Sequence, residues 1–201
     1  RSLSSISCQN FSNIEVIAID DGSTDESLSF LENFTSFPIH IIKHSENLGT
    51  FNSRVDGIKE SKGKYIISMD PDDELMCDLF KVLYNNLIHE NCEILEYQYN
   101  LFQRYYLLKK STPPSITPLI MNHSTIFTSK YEWNWNIWRK CILRELLLKG
   151  ISHIPKFFYN IKMTIAEDRL IFYYTVAFCN SYKIIDYYGY NYYRELPGSA
   201  G

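Results

Sequence analysis

The chain has 201 residues, a formal net charge of -3, and 45% hydrophobic, 15% aromatic and 21% charged residues. That length holds one domain with a sizeable core, and that balance excludes disordered, collagen-like and strongly basic, phosphate-backbone-binding chains. No apolar run reaches the roughly 18 residues a membrane helix needs, and the first residues show no charged-then-apolar signal pattern.

The predicted elements alternate from the start. Helix is expected over 2–10, strand over 14–19, helix over 24–34, strand over 38–43, helix over 50–61, strand over 64–69 and helix over 75–90. Asp21-Gly22-Ser23, Asn47-Leu48-Gly49 and Lys62-Gly63-Lys64 punctuate these segments. This beat is that of βαβ units around a mainly parallel sheet flanked by helices. Beyond residue 92 the pattern loosens. Glu93 to Lys110 reads as extended, Ser111 to Pro118 as a loop, 135–149 and 165–178 as helices and 182–188 as a last strand. Cys8, Cys77, Cys92, Cys141 and Cys179 are odd in number, with no C-x-x-C pair. They read as buried thiols in a reducing compartment, not as disulfides or zinc ligands. His40, His44, His89, His123 and His153 lack ligand spacing, so none is assigned to a metal.

Two of the predicted strands end on carboxylates. Ile19 is followed by Asp20-Asp21-Gly22, and Met69 by Asp70-Pro71-Asp72-Asp73. In an open parallel sheet, ligands bind at the carboxyl ends of strands, so neighbouring tips of this kind converge on one cleft. Carboxylates gathered there repel one another unless a cation holds them, and oxygen donors favour a hard ion such as Mg²⁺ or Mn²⁺. Arg54, on the helix after Gly49, supplies a guanidinium able to meet a diphosphate. Purely structural roles compete with this chemistry. Ser23 and Glu26 have capping-box spacing, and Asp72, Asp73 and Glu74 suit the positive end of a helix. Asp20 and Asp70 lie too early for either role.

Ile14 to Asp25, then Glu46-Asn47-Leu48-Gly49, Ser53-Arg54, Gly57-Ile58, Gly63-Lys64-Tyr65-Ile66 and Asp70-Pro71-Asp72-Asp73, closely resemble the family 2 glycosyltransferases of the GT-A fold. The order and spacing match across residues 9–76. The resemblance implies an α/β, Rossmann-like sheet with a smaller α+β acceptor region. It implies one domain over 1–201, with 1–92 as the nucleotide-sugar half and 93–201 as the acceptor half. It also implies inverting, metal-assisted sugar transfer from a UDP-sugar, with Asp20 and Asp21 at the donor, Asp21 on the base and Arg54 near the diphosphate. Asp70 and Asp72 would form the D-x-D that handles ribose and Mn²⁺ or Mg²⁺, supported by Asp73.

In the second half, Ala166-Glu167-Asp168 resembles the family's Glu-Asp motif, which makes Asp168, beside Glu167, the expected general base. Read alone, two acids in a helix's first turn merely complement its dipole. Trp138-Arg139-Lys140 resembles the family's Trp-x-Lys, and Tyr190 to Arg194 with Gly198-Ser199 its closing segment. Trp138 is expected in the core, while Trp133 and Trp135 are open between core and acceptor stacking. The acceptor is expected to be a glycan, a lipid-linked group or a protein, with no nucleic acid and no transmembrane segment. The implied location is the cytoplasm, with a membrane-surface role left open.

Relatives begin with a strand that this chain lacks before Arg1, which points to an N-terminal truncation and to exposed strand edges beside the donor site. Ser53-Arg54-Val55 keeps the charge of the family's Ala-Arg-Asn and loses its amide. Two rival functions remain at this stage. One is a degenerate nucleotide- or sugar-binding protein without turnover. The other is a nucleotidyltransferase, disfavoured because no Gly-rich, Lys-bearing phosphate loop is visible.

Overall fold

In the computed structural model of the protein, the described residues are 1–88, 92–103, 106–112, 119–121 and 135–194. Helix α1 (Ser2–Ser7) is followed by β1 (Ile17–Asp20), α2 (Ser27–Glu32), β2 (His40–Lys43), α3 (Thr50–Glu60) and β3 (Tyr65–Ile67). The predicted alternation is present throughout this stretch. β1 and β2 pair in parallel, with Ile17 opposite His40, as a crossover through α2 requires. Then come β4 (Glu74–Leu75), α4 (Leu79–Leu87), β5 (Ile94–Gln103), β6 (Tyr106–Lys110), β7 (Leu119–Met121) and β8 (Lys140–Leu143). The chain continues through α5 (Arg144–Ser152), a 3-10 turn over Lys156–Asn160, α6 (Glu167–Val176) and β9 (Tyr182–Arg194).

Among the described residues the strands form two sheets. β1 and β2 make one, and a seven-stranded sheet has the order β3-β8-β5-β9-β4, with β6 beside β5 and β7 beside β9. The α/β class is as expected, but the larger sheet is mixed. β5 and β9 run parallel, whereas β8 runs antiparallel to both β3 and β5. β1 and β3, expected as neighbours, are not hydrogen-bonded to each other, and among the described residues each pairs on one side only. They are tied indirectly. Glu15 Oε1 accepts the amides of Lys62 and Gly63, both at 2.6 Å, just before β3.

Three further expectations are corrected. Residues 140–143 form β8 where a helix was expected. Trp138, Cys141, Ile142 and Leu146 mimic helical spacing because β8 runs straight into α5, and Cys141 and Ile142 in fact face opposite sides of the sheet. The helix expected from residue 75 begins at Leu79, since Glu74 and Leu75 pair with Asn191 and Tyr190 of β9. Cys8 and Cys77 are joined in a disulfide. Their separation of 69 residues hid the pair, which α1 brings together by packing along β4. Trp133, Gly198, Ser199 and most of the expected 111–118 loop lie outside the described residues.

The large sheet is covered on both faces, and its strands alternate between them. Ile94, Ile142 and Ile184 meet Phe51, Val55, Leu146, Ile171 and Phe172 on the α3–α5–α6 side. Leu95, Tyr97, Cys141 and Tyr190 meet Leu75, Leu79 and Leu83 on the α4 side. Each such side chain contributes about 1.5–3 kcal/mol on burial, enough to hold the strand ends and α3 as a rigid frame. Trp138 lies in this core, as expected.

Candidate active site

The first acidic tip folds back onto the loop that starts α3. Asp20 is buried, and its Oδ1 accepts the amide of Ser23 at 3.3 Å, so it shapes the turn after β1. The expected capping box is absent: α2 starts later, where Asp25 accepts the Ser27 amide at 2.9 Å. Asp21 Oδ1 accepts from Leu48 N–H and Oδ2 from Gly49 N–H, both at 2.9 Å, and His44 Nδ1 lies 2.7 Å from Oδ1. Burial alone raises the Asp21 carboxyl, but these bonds outweigh it and hold it below the usual carboxylate range. Glycine is required at both ends of this clasp. Gly22 has φ 72° and Gly49 φ 88°, and a Cβ on either would lie within 3 Å of backbone atoms of Glu46 or Met163.

The second tip is anchored on β9. Asp73 is fully buried, accepting the Tyr190 hydroxyl at 2.7 Å and the Tyr193 amide at 2.8 Å. Burial, against those two bonds, pushes its carboxyl up to about 7. The Tyr190 hydroxyl also accepts the Asp70 amide at 3.2 Å, so one phenol fixes both ends of Asp70-Pro71-Asp72-Asp73. Asp72 is exposed, and its carbonyl accepts from Arg1 Nη1 at 3.0 Å.

Arg54, midway along α3, joins this tip to the second half of the chain. Its Nη2 donates to Asp70 Oδ1 at 2.6 Å and its Nε to Glu167 Oε1 at 3.3 Å. Burial would lower the guanidinium, yet the two carboxylates hold it above its usual value. Glu167 and Asp168 open α6, directly after Ala166, whose left-handed backbone (φ 63°) is strained for a residue with a Cβ. Burial and then the Glu167 carboxylate raise the Asp168 carboxyl, against the Arg169 amide and Arg54. A half-buried carboxyl kept basic in this way suits proton abstraction.

Beneath α6 lies a second charged group. Glu96 is fully buried and pairs with Arg139, Lys140 and the Tyr182 hydroxyl. Lys140 Nζ sits 3.5 Å from Glu96 Oε2 and 4.5 Å from the centre of the Phe172 ring, one turn along α6 from Asp168. Burial pulls the Lys140 ammonium down to about 8, and the fields of Glu96 and Asp168 oppose a further fall.

Asp70, Arg54 and Glu167 are therefore brought into direct contact, with Asp168 in electrostatic reach of all three. Asp21 joins them only through α3, and Asp20 and Asp73 are committed to local structure. Arg54 supplies the compensating charge, and among the described residues no three His, Cys, Asp or Glu side chains form a metal cage. Of the expected D-x-D pair, Asp70 gives one carboxylate oxygen to Arg54 and Asp72 is exposed. His44, Tyr190 and Glu96 were missed as site-shaping residues. The Tyr-rich closing segment was the one signal pointing to any of them.

The sequence model described as Glycosyl transferase family 2 matches residues 1–147. The chain belongs to this family. A cholesterol galactosyltransferase of Borreliella burgdorferi is 31% identical over 154 residues, covering 71% of this chain and 43% of that protein. Glycosyltransferase GlyA of Streptococcus pneumoniae is 30% identical over 103 residues, 51% of this chain and 15% of GlyA. Among solved structures, S. aureus TarS with UDP-GlcNAc superimposes with a TM-score of 0.79 at 18% identity, covering all of this chain and 56% of that one. TarS with UDP gives 0.76 at 19% identity, over 97% and 55%. These overlays establish the GT-A fold for this family 2 chain, which spans under half the length of those curated relatives. No helix among the described residues is long and apolar enough to cross a membrane.

Proposed function

We propose that this chain carries the donor site and base of an inverting glycosyltransferase that moves a sugar from a UDP-sugar to an acceptor hydroxyl. The Arg54 bridge between Asp70 and Glu167 carries this reading, because it places a buried cation at the D-x-D tip and next to a basic carboxylate. Binding of UDP and UDP-GlcNAc by TarS supports the donor class. Asp21 orders the loop around the base, and Arg54 meets the diphosphate. Asp70 and Asp72 would hold Mn²⁺ or Mg²⁺, which when bound supplies Lewis-acid stabilisation to the leaving diphosphate. Asp168 takes the acceptor proton as the acceptor oxygen bonds to the anomeric carbon from the face opposite the breaking C–O bond, and UDP leaves with that bond's electron pair.

Calorimetric titration with UDP, with and without Mn²⁺, followed by assay of UDP release from UDP-sugars, tests this. Binding with release supports the transferase. Binding without release under every condition favours a binding protein lacking turnover, and release of pyrophosphate from UTP in the presence of a sugar 1-phosphate, with no UDP released from UDP-sugars, would establish a nucleotidyltransferase.

A further inference from the structure

His44 is the first residue past β2, and Asp21 is the first past β1. Asp20 sits opposite Lys43 in the parallel register, so the next residues leave the two strands side by side, and the His44 amide donates to the Asp20 carbonyl at 2.9 Å. The main chain thus sets the imidazole beside the carboxylate. Its Nδ1 lies 2.7 Å from Asp21 Oδ1. Its Nε2 lies 3.4 Å from Oδ2 of Asp56 on α3 and has no hydrogen-bond partner among the described residues. Asp56 also meets Lys59 Nζ, at 3.5 Å.

A carboxylate offers about four lone-pair sites, two on each oxygen. On Asp21, Oδ1 takes both the Leu48 amide and the His44 ring and is full, whereas Oδ2 takes the Gly49 amide alone. One acceptor position is left, and it is on Oδ2. The Asp21 side chain is 21% exposed and the His44 side chain 7%, so the group this clasp shows to a ligand is the carboxylate and not the ring. The bonds that hold the Asp21 carboxyl below its usual range keep it ionised, and an ionised carboxylate only accepts. The ring therefore carries its hydrogen on Nδ1. Pyrimidine bases differ where such a group would read them. Uracil presents an N–H at N3, while neutral cytosine presents a lone pair there that a carboxylate repels.

We propose that His44 is a positioning residue for the choice of donor base: by donating to Oδ1 of Asp21 it leaves the free lone pair of Oδ2 turned outward, where it takes the N3–H of uracil and rejects cytosine. The inference rests on the transferase reading above, in which Asp21 lies at the base, and adds the residue that aims Asp21. A purely architectural His44 would tie β2 to α3 through Asp56 and leave base choice alone.

Calorimetric titration of the whole chain with UDP and with CDP, both with Mn²⁺, separates the two roles. The ratio of the two affinities is read for each protein, because partial loss of folded protein lowers the apparent number of sites and leaves that ratio unchanged. The wild type is expected to prefer UDP at least about tenfold. His44→Asn places an amide N–H where Nδ1 stood and should keep that preference within about twofold. His44→Gln reaches only the Nε2 position, facing Asp56, and should lose about fivefold or more of the preference, as should His44→Leu. A preference that survives in the Gln and Leu variants, or is lost alike in all three, overturns the proposal. So does a wild type that binds UDP and CDP equally. A wild type that binds neither nucleotide defeats the transferase reading itself, and the role of His44 falls with it.

Discussion

Arg54 and Asp70 meet at 2.6 Å, a bond that ties the middle of α3 to the tip after β3, and the same guanidinium reaches Glu167 at the start of α6. Three segments distant in sequence are thus held by one side chain whose own surface is almost all buried. Removing it leaves Glu167 buried without its cation and Asp70 half-buried without its partner. Arg54→Met should therefore cost about 3 kcal/mol in urea unfolding and weaken UDP binding at least about tenfold. Arg54→Lys restores a charge that cannot fork to both carboxylates, so it should recover stability more than nucleotide affinity. A variant that loses stability and keeps full UDP affinity would confine Arg54 to a structural role.

Asp168 and Glu167 lie side by side at the N-terminus of α6, and the Glu167 carboxylate raises the proton affinity of Asp168. Asp168→Asn should abolish transfer and leave UDP affinity within about twofold. In the wild type, kcat/KM should fall as pH drops through the raised Asp168 value, because only the carboxylate accepts a proton. Glu167→Gln removes a repulsion that keeps Asp168 protonated, so the acid limb of the profile should move to lower pH. An acid limb that stays in place in this variant would separate the two groups.

The N-terminal half was the more legible in sequence, for a physical reason. Each of its strands and helices is specified locally, by apolar runs and by Asp21-Gly22 and Leu48-Gly49 turns whose glycines adopt positive φ. Asp70, Arg54 and Glu167 were found as separate motifs, but their mutual contacts depend on how α3 packs against α6, which no local pattern encodes. The same holds for the Cys8–Cys77 disulfide, for Tyr190 bridging Asp70 and Asp73, and for β8, where a strand and the following helix share one continuous apolar spacing. The carboxylates were legible as strand-end motifs, but the guanidinium contacts with Asp70 and Glu167 among them were not.

Asp21 accepts the Leu48 and Gly49 amides and lies against His44, so it acts as a clasp between the first acidic tip and α3. Asp21→Asn keeps the size and loses the charge, which should lower stability at pH 7 by about 1–2 kcal/mol. Because the folded carboxyl sits below its unfolded value, its contribution is present above the unfolded pKa and is lost as pH falls through the folded one. The gap in melting temperature between wild type and variant should close in acid. A gap that persists undiminished near pH 2 would mean the charge is not what the clasp uses.

Glu96 is a buried carboxylate between Arg139 and Lys140, and the two cations have opposite prospects when it is removed. Arg139 stays charged, whereas Lys140 can neutralise. Glu96→Gln should destabilise the protein by about 3–5 kcal/mol and drive the Lys140 ammonium below its value of about 8. The sign of the pH dependence follows from that value. Between about 8 and the ordinary lysine range the unfolded chain holds a proton that the folded one has released, so wild-type stability should rise with pH across this window. Lys140→Met cannot release that proton, and its denaturation midpoint should be flat where the wild type climbs. Parallel curves for the two proteins from pH 7 to 10.5 would show that Lys140 does not titrate in the fold.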